Sequence, residues 1–590
     1  MRRLGVCVCV MMLWPAVYSQ GQTTGTISGT VRDTSGAVLP GAAVGLLNED
    51  TGISRSIQSD SGGRYAAPAL SLGNYRVTAS LEGFQTQVRS GIVLTVGREA
   101  VVNFELPVGA ITQTVEVTGE APLVETTSAT LEGLVDDKKI RDLPLNARSY
   151  LDLALLQSGV VLSRAASSNT GMGTQLSISG ARPNSNVFKL DGTDITDMFQ
   201  KGVASTTTVA LGVEAVREFS VLTHNYSAEQ GKAAGGVVNV VTRSGTNRLS
   251  GSVFEFLRND NLDARKFFDR EPIGKPEFKR NQFGFSLGGP IMKDRTFFFG
   301  NYEGLRDREG RTAISNVPTE AARQGIIRGV VFPNPNALAM RYMRLYPLPT
   351  PGALDNGDGT AQYISTDRTT TNQNYVTVRV DHKLSDADSI FARYTFDKAS
   401  VFSPQGPVNL WANFDGNKNQ YVTIEETKIL TPTLINVFRA GFSRQNSFIG
   451  TEQLVDLDPA LSLNPPFPMV DASPPGADGL GVNDAPRYFR RNLYEIVDNV
   501  THTRGAHSLK FGFQNQRDQQ NIDFQTRLRG RWSFSSLENY VQGISSRVEF
   551  APPSIADPIR TFRQNYFGLY LQDDIRARQN LTVNVGLRYE

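Results

Sequence analysis

VEAVREFSVLTHNYSAEQGKAAGGVVNVVTR, Val213 to Arg243, decides how the rest of the chain is read. Its Gly235-Gly236 pair leads into Val237, Val238, Asn239, Val240, Val241 and Thr242, a β-branched run too short for a helix and closed by Ser244-Gly245. That pattern reads as a buried strand. Adjacent glycines ahead of it allow a close backbone approach, or a positive φ, where a Cβ would clash. After Leu249 the chain becomes a series of alternating segments of roughly 10 residues, the length and period of strands that cross an outer membrane. The stretch therefore reads as a hinge between a small soluble part and a membrane barrel. The plainer alternative is an internal strand of an ordinary β-sandwich.

The alternation favours the barrel. Phe283, Phe285 and Leu287 share one face against Gln282, Gly284 and Ser286, and Val376, Val378 and Val380 oppose Thr377, Arg379 and Asp381. Ile390, Ala392, Tyr394 and Phe396 oppose Phe391, Arg393, Thr395 and Asp397, while Leu434, Phe438, Ala440 and Phe442 oppose Arg439 and Gly441. The last segment sets Leu581, Val583, Val585, Leu587 and Tyr589 against Thr582, Asn584, Arg588 and Glu590. A soluble sandwich also alternates, but charges recur here on one face of strand after strand. Short links at Leu430 to Thr433 and Arg576 to Gln579 also contrast with long Pro/Gly/Asn-rich connections, Asp307 to about Thr371 and Asn446 to about Pro486. Short turns on one side and long loops on the other belong to outer-membrane barrels, one face meeting lipid and the other a wet lumen. About eleven strand candidates follow Leu249, against the roughly 22 of plugged transporters, so half a barrel is expected.

Composition agrees. A net charge of +2 over 590 residues gives no dedicated nucleic-acid surface, and 54 glycines with 32 Phe and 18 Tyr suit a turn-rich β protein. Beyond the N-terminus no apolar run approaches the roughly 18 residues of a spanning helix. Residues 1–19, with Arg2-Arg3, an apolar stretch from Leu4 to Val17 and small Ser19, read as a secretory signal. Both cysteines, Cys7 and Cys9, lie within it, which leaves none for disulfides, metal ligation or nucleophilic chemistry afterwards.

From Gly25 to Gly109 short strands alternate with turn signals such as Thr34-Ser35-Gly36 and Asp60-Ser61-Gly62-Gly63, the spacing of a small sandwich. Its G-T-V-x-D-x-x-G-x-x-x-P-G-A-x-V run from Gly29 to Val44, D-S-G-G-R-Y from Asp60 and G-N-Y-R-V from Gly73 resemble the carboxypeptidase regulatory-like domain, an accessory sandwich with no catalytic residues. After Pro107 and Gly109 comes ITQTVEVTGEAPL, Ile111 to Leu123. On pattern alone it is a linker strand. It also resembles the TonB box, with Thr112, Gln113, Thr114, Val115, Glu116, Val117, Thr118 and Gly119 as the candidate segment. That resemblance implies a TonB-type periplasmic energy-coupling protein that grips the segment by strand addition, so the segment is expected to be mobile at rest.

LPLNARSYLDLALLQSGV, ISGARPNSNVFKLDG, VEAVREFSV and AAGGVVNVVTRSG together resemble the plug of TonB-dependent outer-membrane receptors. Asp191, Gly192, Gly235, Gly236 and Asn239 are its motif residues. Thr223-His224-Asn225-Tyr226 stands where the usual Arg-Gly-Pro turn would be, a departure of the Oar-like branch. Lys138 to Leu143 and Leu151 to Leu156 read as helices around Pro144, with Asn146 or Ser149 as cap, and Ala337 to Tyr346 as a small loop helix.

The expected fold is all-β dominated: signal peptide 1–19, sandwich 20–109, TonB box-like linker 110–123, α/β plug 124–245, and the N-terminal half of an antiparallel outer-membrane barrel over 246–590. No catalytic, cofactor or metal site is expected. The four histidines show no His-x-x-Glu pattern, and His502 and His507 flank a hairpin tip. Asp191, Asp194 and Asp197 fall three apart, unlike a calcium loop, and read as a solvated plug turn with a lesser share in ligand contact. Gly171-Met172-Gly173 has no phosphate-loop lysine. Absent site residues also exclude a secreted peptidase with a β tail. The resemblance implies energy-coupled uptake of a glycan, peptide or metal chelate by a protein embedded in outer-membrane lipid, its N-terminal domain periplasmic. The rival reading is an adhesion or surface-organisation barrel without transport.

Overall fold

The computed structural model describes residues 23–109, 114–118, 129–143, 145, 148–163, 175–198, 202–203, 205–207, 212–265, 274–406, 409–462, 471–480, 486–525, 530–551, 557–578 and 581–590. The expected signal peptide, Asn146 and the Gly171 to Gly173 loop lie outside them.

The first part is a two-sheet sandwich. One sheet pairs Gly25–Asp33 with Arg64–Leu70 and, in parallel, with Glu99–Val101 and Phe104–Leu106. The other runs in the order Ser54–Gln58, Ala43–Asn48, Gly73–Ser80, Thr86–Leu94, Thr114–Thr118. Ile27, Val31, Val44, Leu46, Tyr65, Val77, Ile92 and Phe104 fill the space between them. The run from Ala100 to Leu106 forms two short strands rather than one because the Val102 N–H donates to Ser28 O, while Asn103 turns its side-chain oxygen to the Thr30 N–H. Gly29 is needed at this crossing, since a Cβ there would lie 1.8 Å from Val102 O.

The plug sheet runs in the order Leu131–Val135, Val216–His224, Val237–Thr242, Val187–Leu190, Thr193–Asp194. The β-branched run is thus the central strand, buried along its whole length. Of the two roles open to Gly235 and Gly236, close approach is the one used. A Cβ on Gly236 would sit 2.5 Å from Ile178 Cγ2, and one on Gly235 would sit 2.4 Å from Asn186 Oδ1. Asp136 caps the helix Asp137–Asp142 through the Lys139 N–H. The second helical segment, Tyr150–Leu156, is a 3-10 helix, with Ser149 at its N-cap making no side-chain capping bond.

Eleven antiparallel strands follow in strict sequence order from Ser250–Asn259 to Leu581–Tyr589, each hydrogen-bonded to the next. The sheet is open, because these first and last strands pair on one side only. Tight hairpins close one end, at Ser385/Asp388, Thr431/Leu434 and Arg504/His507. The opposite end carries the long excursions. They are shorter than the sequence suggests, since strands Thr296–Pro318 and Thr360–Ser385 stay paired from Thr296↔His382 out to Pro318↔Thr360. The ladder outruns the roughly 10 residues that span the hydrocarbon, and the connection shrinks to residues 319–359. The excursions share their own apolar core, with Tyr342 and Met343 of the helix Ala337–Met343 packed among Trp411, Leu461 and Tyr540. Val378, Val380, Tyr394 and Phe438 face outward and exposed, whereas Thr377, Arg393, Thr395 and Arg439 face inward and buried. Among the described residues no helix is long and apolar enough to cross a membrane.

Candidate functional site

The inward face of the wall meets the plug, partly through apolar contacts such as Tyr421 in the plug core and centrally through buried ion pairs. Arg379 and Arg393 stand directly opposite one another on adjacent strands. Like charges so placed repel. Asp191 of the plug lies between them. Its Oδ2 accepts from Arg393 Nε at 3.0 Å and its Oδ1 from Arg379 Nη1 at 3.3 Å. The central plug strand completes the shell, with Thr242 N and Oγ1 each donating to Asp191 at 2.8 Å. Arg393 also donates to Leu190 O at 2.8 Å and to Thr423 Oγ1, while Asp381 and the Phe391 ring hold the other side of Arg379.

Asp191 reaches this position at a φ of +46°, the left-handed region that aspartate tolerates better than most side chains, and Gly192 follows at +76°. A Cβ on Gly192 would lie 2.0 Å from Arg439 Nη1, so glycine lets the turn sit directly on that guanidinium. Arg439 in turn donates to Glu425 at 3.2 Å, its register partner on the next strand.

A second ionic group lies beside the first. Asp194 accepts from Lys232 Nζ at 3.0 Å and from the Thr196 N–H at 2.9 Å. Burial works to raise the Asp194 carboxyl, but Lys232 and Arg491 hold it well below the ordinary carboxylate range. Arg491 donates to Thr196 O at 2.6 Å and pairs with Asp518 at 2.8 Å. Burial pushes the Lys189 ammonium down to about 8, with Glu495 opposing the shift.

The three aspartates are therefore not a solvated turn. Asp191, Asp194 and Asp197 are all within 1% of fully buried. Their spacing reflects a tight reversal between Val187–Leu190 and Thr193–Asp194 that points carboxylates at the arginines of the wall. Asn239, the remaining plug-motif residue, is buried in the central strand opposite Ser220. Parity along the barrel strands places Arg379, Arg393 and Arg439 on the wet face, but the sequence holds no sign of their plug partners. Arg491 and Glu495 were findable by the same parity, since Arg487, Phe489, Arg491, Leu493 and Glu495 alternate inward. His507 bonds Asp573 at the expected hairpin.

On the hairpin side the sandwich abuts the plug and the wall. The Val96 N–H donates to Glu218, Arg217 donates to Leu72 O at 3.2 Å, and Leu72, Val96 and Val241 form one apolar cluster. The Asn247 N–H donates to Asp50 O at 2.9 Å, Thr23 Oγ1 to Glu425 at 2.6 Å, and Arg576 pairs with Glu99. Of the candidate coupling segment, Thr112, Gln113 and Gly119 lie outside the described residues. Thr114, Val115, Glu116, Val117 and Thr118 form a strand parallel to Thr86–Leu94. That differs from the expected mobile segment. A strand-forming run beside a sheet edge with unpaired backbone groups has a partner at hand, and takes it.

Comparison with known proteins agrees with this architecture. The family model described as carboxypeptidase regulatory-like domain matches residues 26–107. The TonB-dependent transporter Oar of Myxococcus xanthus is 31% identical over 322 residues, 51% of this chain and 28% of that protein. A probable TonB-dependent siderophore receptor, PirA of Acinetobacter baumannii, is 27% identical over 234 residues, 36% of this chain and 29% of that one. The chain thus spans less than a third of the length of these curated relatives. The outer membrane transporter YddB from Escherichia coli is similar in structure with a TM-score of 0.49 at 13% identity, covering 78% of this chain and 56% of that one. The outer membrane beta barrel domain model matches residues 241–590, more than half of the chain. The chain therefore belongs to the outer membrane beta barrel domain family and is a protein of the Gram-negative outer membrane.

Proposed function

We propose that this protein is an energy-coupled receptor that takes up a scarce or bulky ligand across the outer membrane, driven by a TonB-type periplasmic protein that grips Thr112 to Gly119. The observation that carries the reading is the position of Leu131–Val135. Among the described residues it is the first plug strand after the candidate segment, and it lies at the edge of the plug sheet, paired to Val216–His224 alone. Once the segment is in the grip of the coupling protein, tension through residues 119–130 would reach this edge of the plug first and open its hydrogen bonds one at a time, each worth about 1 kcal/mol net. Tearing all of them at once would be far more costly.

The ionic seat of the plug supports the same reading. Buried charged contacts hold one geometry and lose their balance once a partner moves, whereas an apolar plug would slide. A plug built to stay would need no such register.

The ligand class is open to glycans, peptides and metal chelates. One relative's name gives a siderophore, and that name is a candidate to test here. The adhesion reading needs neither an edge strand linked to a coupling segment nor a plug with a resettable ionic seat. The test is accumulation of each candidate compound in cells with and without the coupling protein. Loss of accumulation with retained surface binding is expected. Accumulation independent of the coupling protein would refute the reading.

A further inference from the structure

The Thr114–Thr118 strand is held by the sandwich, and the way it is held bears on how it is released. Its register is Thr86↔Thr114, Gln87↔Val115, Val88↔Glu116, Arg89↔Val117 and Ser90↔Thr118. Every other pairing in that five-stranded sheet is antiparallel. This strand is the parallel one, five residues long, and last in the order. Parallel pairs are somewhat weaker per residue, and an end strand has one ladder to lose. Among the described residues no strand pairs with its outer edge.

The chain path sets up this pairing. Val108 bridges Phe84, the Gln85 N–H donates to Pro107 O and the Gly109 N–H to Gly83 O, so the chain leaves the sandwich core alongside the start of Thr86–Leu94. It then returns parallel to that strand. The sandwich meanwhile is anchored elsewhere, through Val96 to Glu218, Leu72 to Arg217 and Glu99 to Arg576. While the segment is docked, a pull on it is therefore borne by a body fixed to the plug and the wall, and it reaches Leu131–Val135 only after the segment has left the sandwich.

We infer that the Thr86–Leu94 edge is a dock for the chain's own coupling segment, competing with the periplasmic coupling protein, so that productive capture requires the segment to leave the sandwich. The inference rests on the proposed function. It adds a resting state in which the segment is sheltered, with the regulatory-like sandwich as the sheltering partner. A short parallel end strand suits that task, because it is ordered enough to shelter the segment and weak enough to be exchanged for a better ladder.

A reversible lock tests it on the full chain. Residues 20–590 contain no cysteine, and neighbouring strands lie about 4.8 Å apart, within reach of a disulfide. Ser90→Cys with Thr118→Cys ties one end of the ladder, and Thr86→Cys with Thr114→Cys independently ties the other. The readout is binding of the purified periplasmic domain of the TonB-type protein to the detergent-solubilised receptor, oxidised and then reduced. Oxidation should form the cross-link in either pair and weaken binding at least about tenfold, with full recovery on reduction. Failure of both pairs to cross-link, or equal binding by the locked and reduced forms, would overturn the dock while leaving the coupling reading intact. No binding by the unsubstituted protein would overturn the coupling reading, and the dock with it.

Discussion

Arg379 and Arg393 face each other across adjacent barrel strands, and the carboxylate of Asp191 from the plug bonds to both. Neither Asp191 nor Arg393 has a side chain exposed to solvent. Removing the acid leaves two opposed cations in a dry site, so Asp191→Ala should loosen plug seating by about 3–5 kcal/mol. Adding Arg393→Met should recover part of that loss, because the repulsion goes with the second charge. Hydrogen exchange over residues 187–194 and 237–242 measures both, and equal protection in wild type and Asp191→Ala would contradict the assignment.

Gly236 packs against Ile178 without room for a methyl group. Gly236→Ala should therefore cost roughly 1–3 kcal/mol by overpacking. Ile178→Ala alone should also destabilise, by leaving a cavity, yet the two changes together should cost less than their sum. A thermal-unfolding cycle of the four proteins gives the coupling, and strict additivity would show that the glycine is there for some other reason.

How much of this was legible depended on range. Alternation fixes which face Thr377, Val378, Arg379 and Val380 present, because period two is local to one strand. The five-residue run Val237–Val241 declares its burial in the same way. Asp191 and Asp194 read locally as a polar turn because their cations come from elsewhere in the chain, Arg379 and Arg393 of the wall for Asp191 and Lys232, 38 positions on, for Asp194. The loops are shorter than the local sequence suggests for a related reason. Thr366, Asp367, Arg368 and Thr369 look like loop, yet each continues a ladder whose partner strand supplies the order. The candidate coupling segment is legible as a strand but not as a paired one, because its partner edge belongs to a different part of the chain.

The last strand gives a sharp contrast between its faces. Val585 points outward, 59% exposed, while Asn584 bonds Asp574 on the inner face. Val585→Arg should impair folding into bilayers by roughly 2–4 kcal/mol near the midplane, and Asn584→Arg should be mild. Equal tolerance at the two positions, in refolding yield into lipid vesicles, would reverse the faces.

Glu218 joins the plug to the sandwich by accepting the Val96 N–H, and burial pushes its carboxyl up, with Arg217 opposing the shift and Asp136 and Asp137 adding to it. A raised folded value means that stability is fullest below the unfolded carboxyl range and is lost as pH rises through the folded one. The junction between plug and sandwich should thus be firmer at about pH 5 than at about pH 8. Glu218→Gln keeps an acceptor without the charge and should remove that difference, strengthening this junction at the higher pH. Exchange of the Val96 amide at both pH values reads it directly, and an unchanged pH dependence in Glu218→Gln would assign the effect to another group.

On the proposed function, Thr112 to Gly119 carries energy into the plug. Proline at Val115 and Val117 removes two backbone donors and fixes φ, so that no partner strand can form a continuous ladder there. Once a substrate has been identified by growth of a deletion strain on candidate compounds, its surface binding and its accumulation are measured together in the Val115→Pro, Val117→Pro double variant. Wild-type abundance and binding are expected, with accumulation abolished. Undiminished accumulation in that variant would contradict the proposed function.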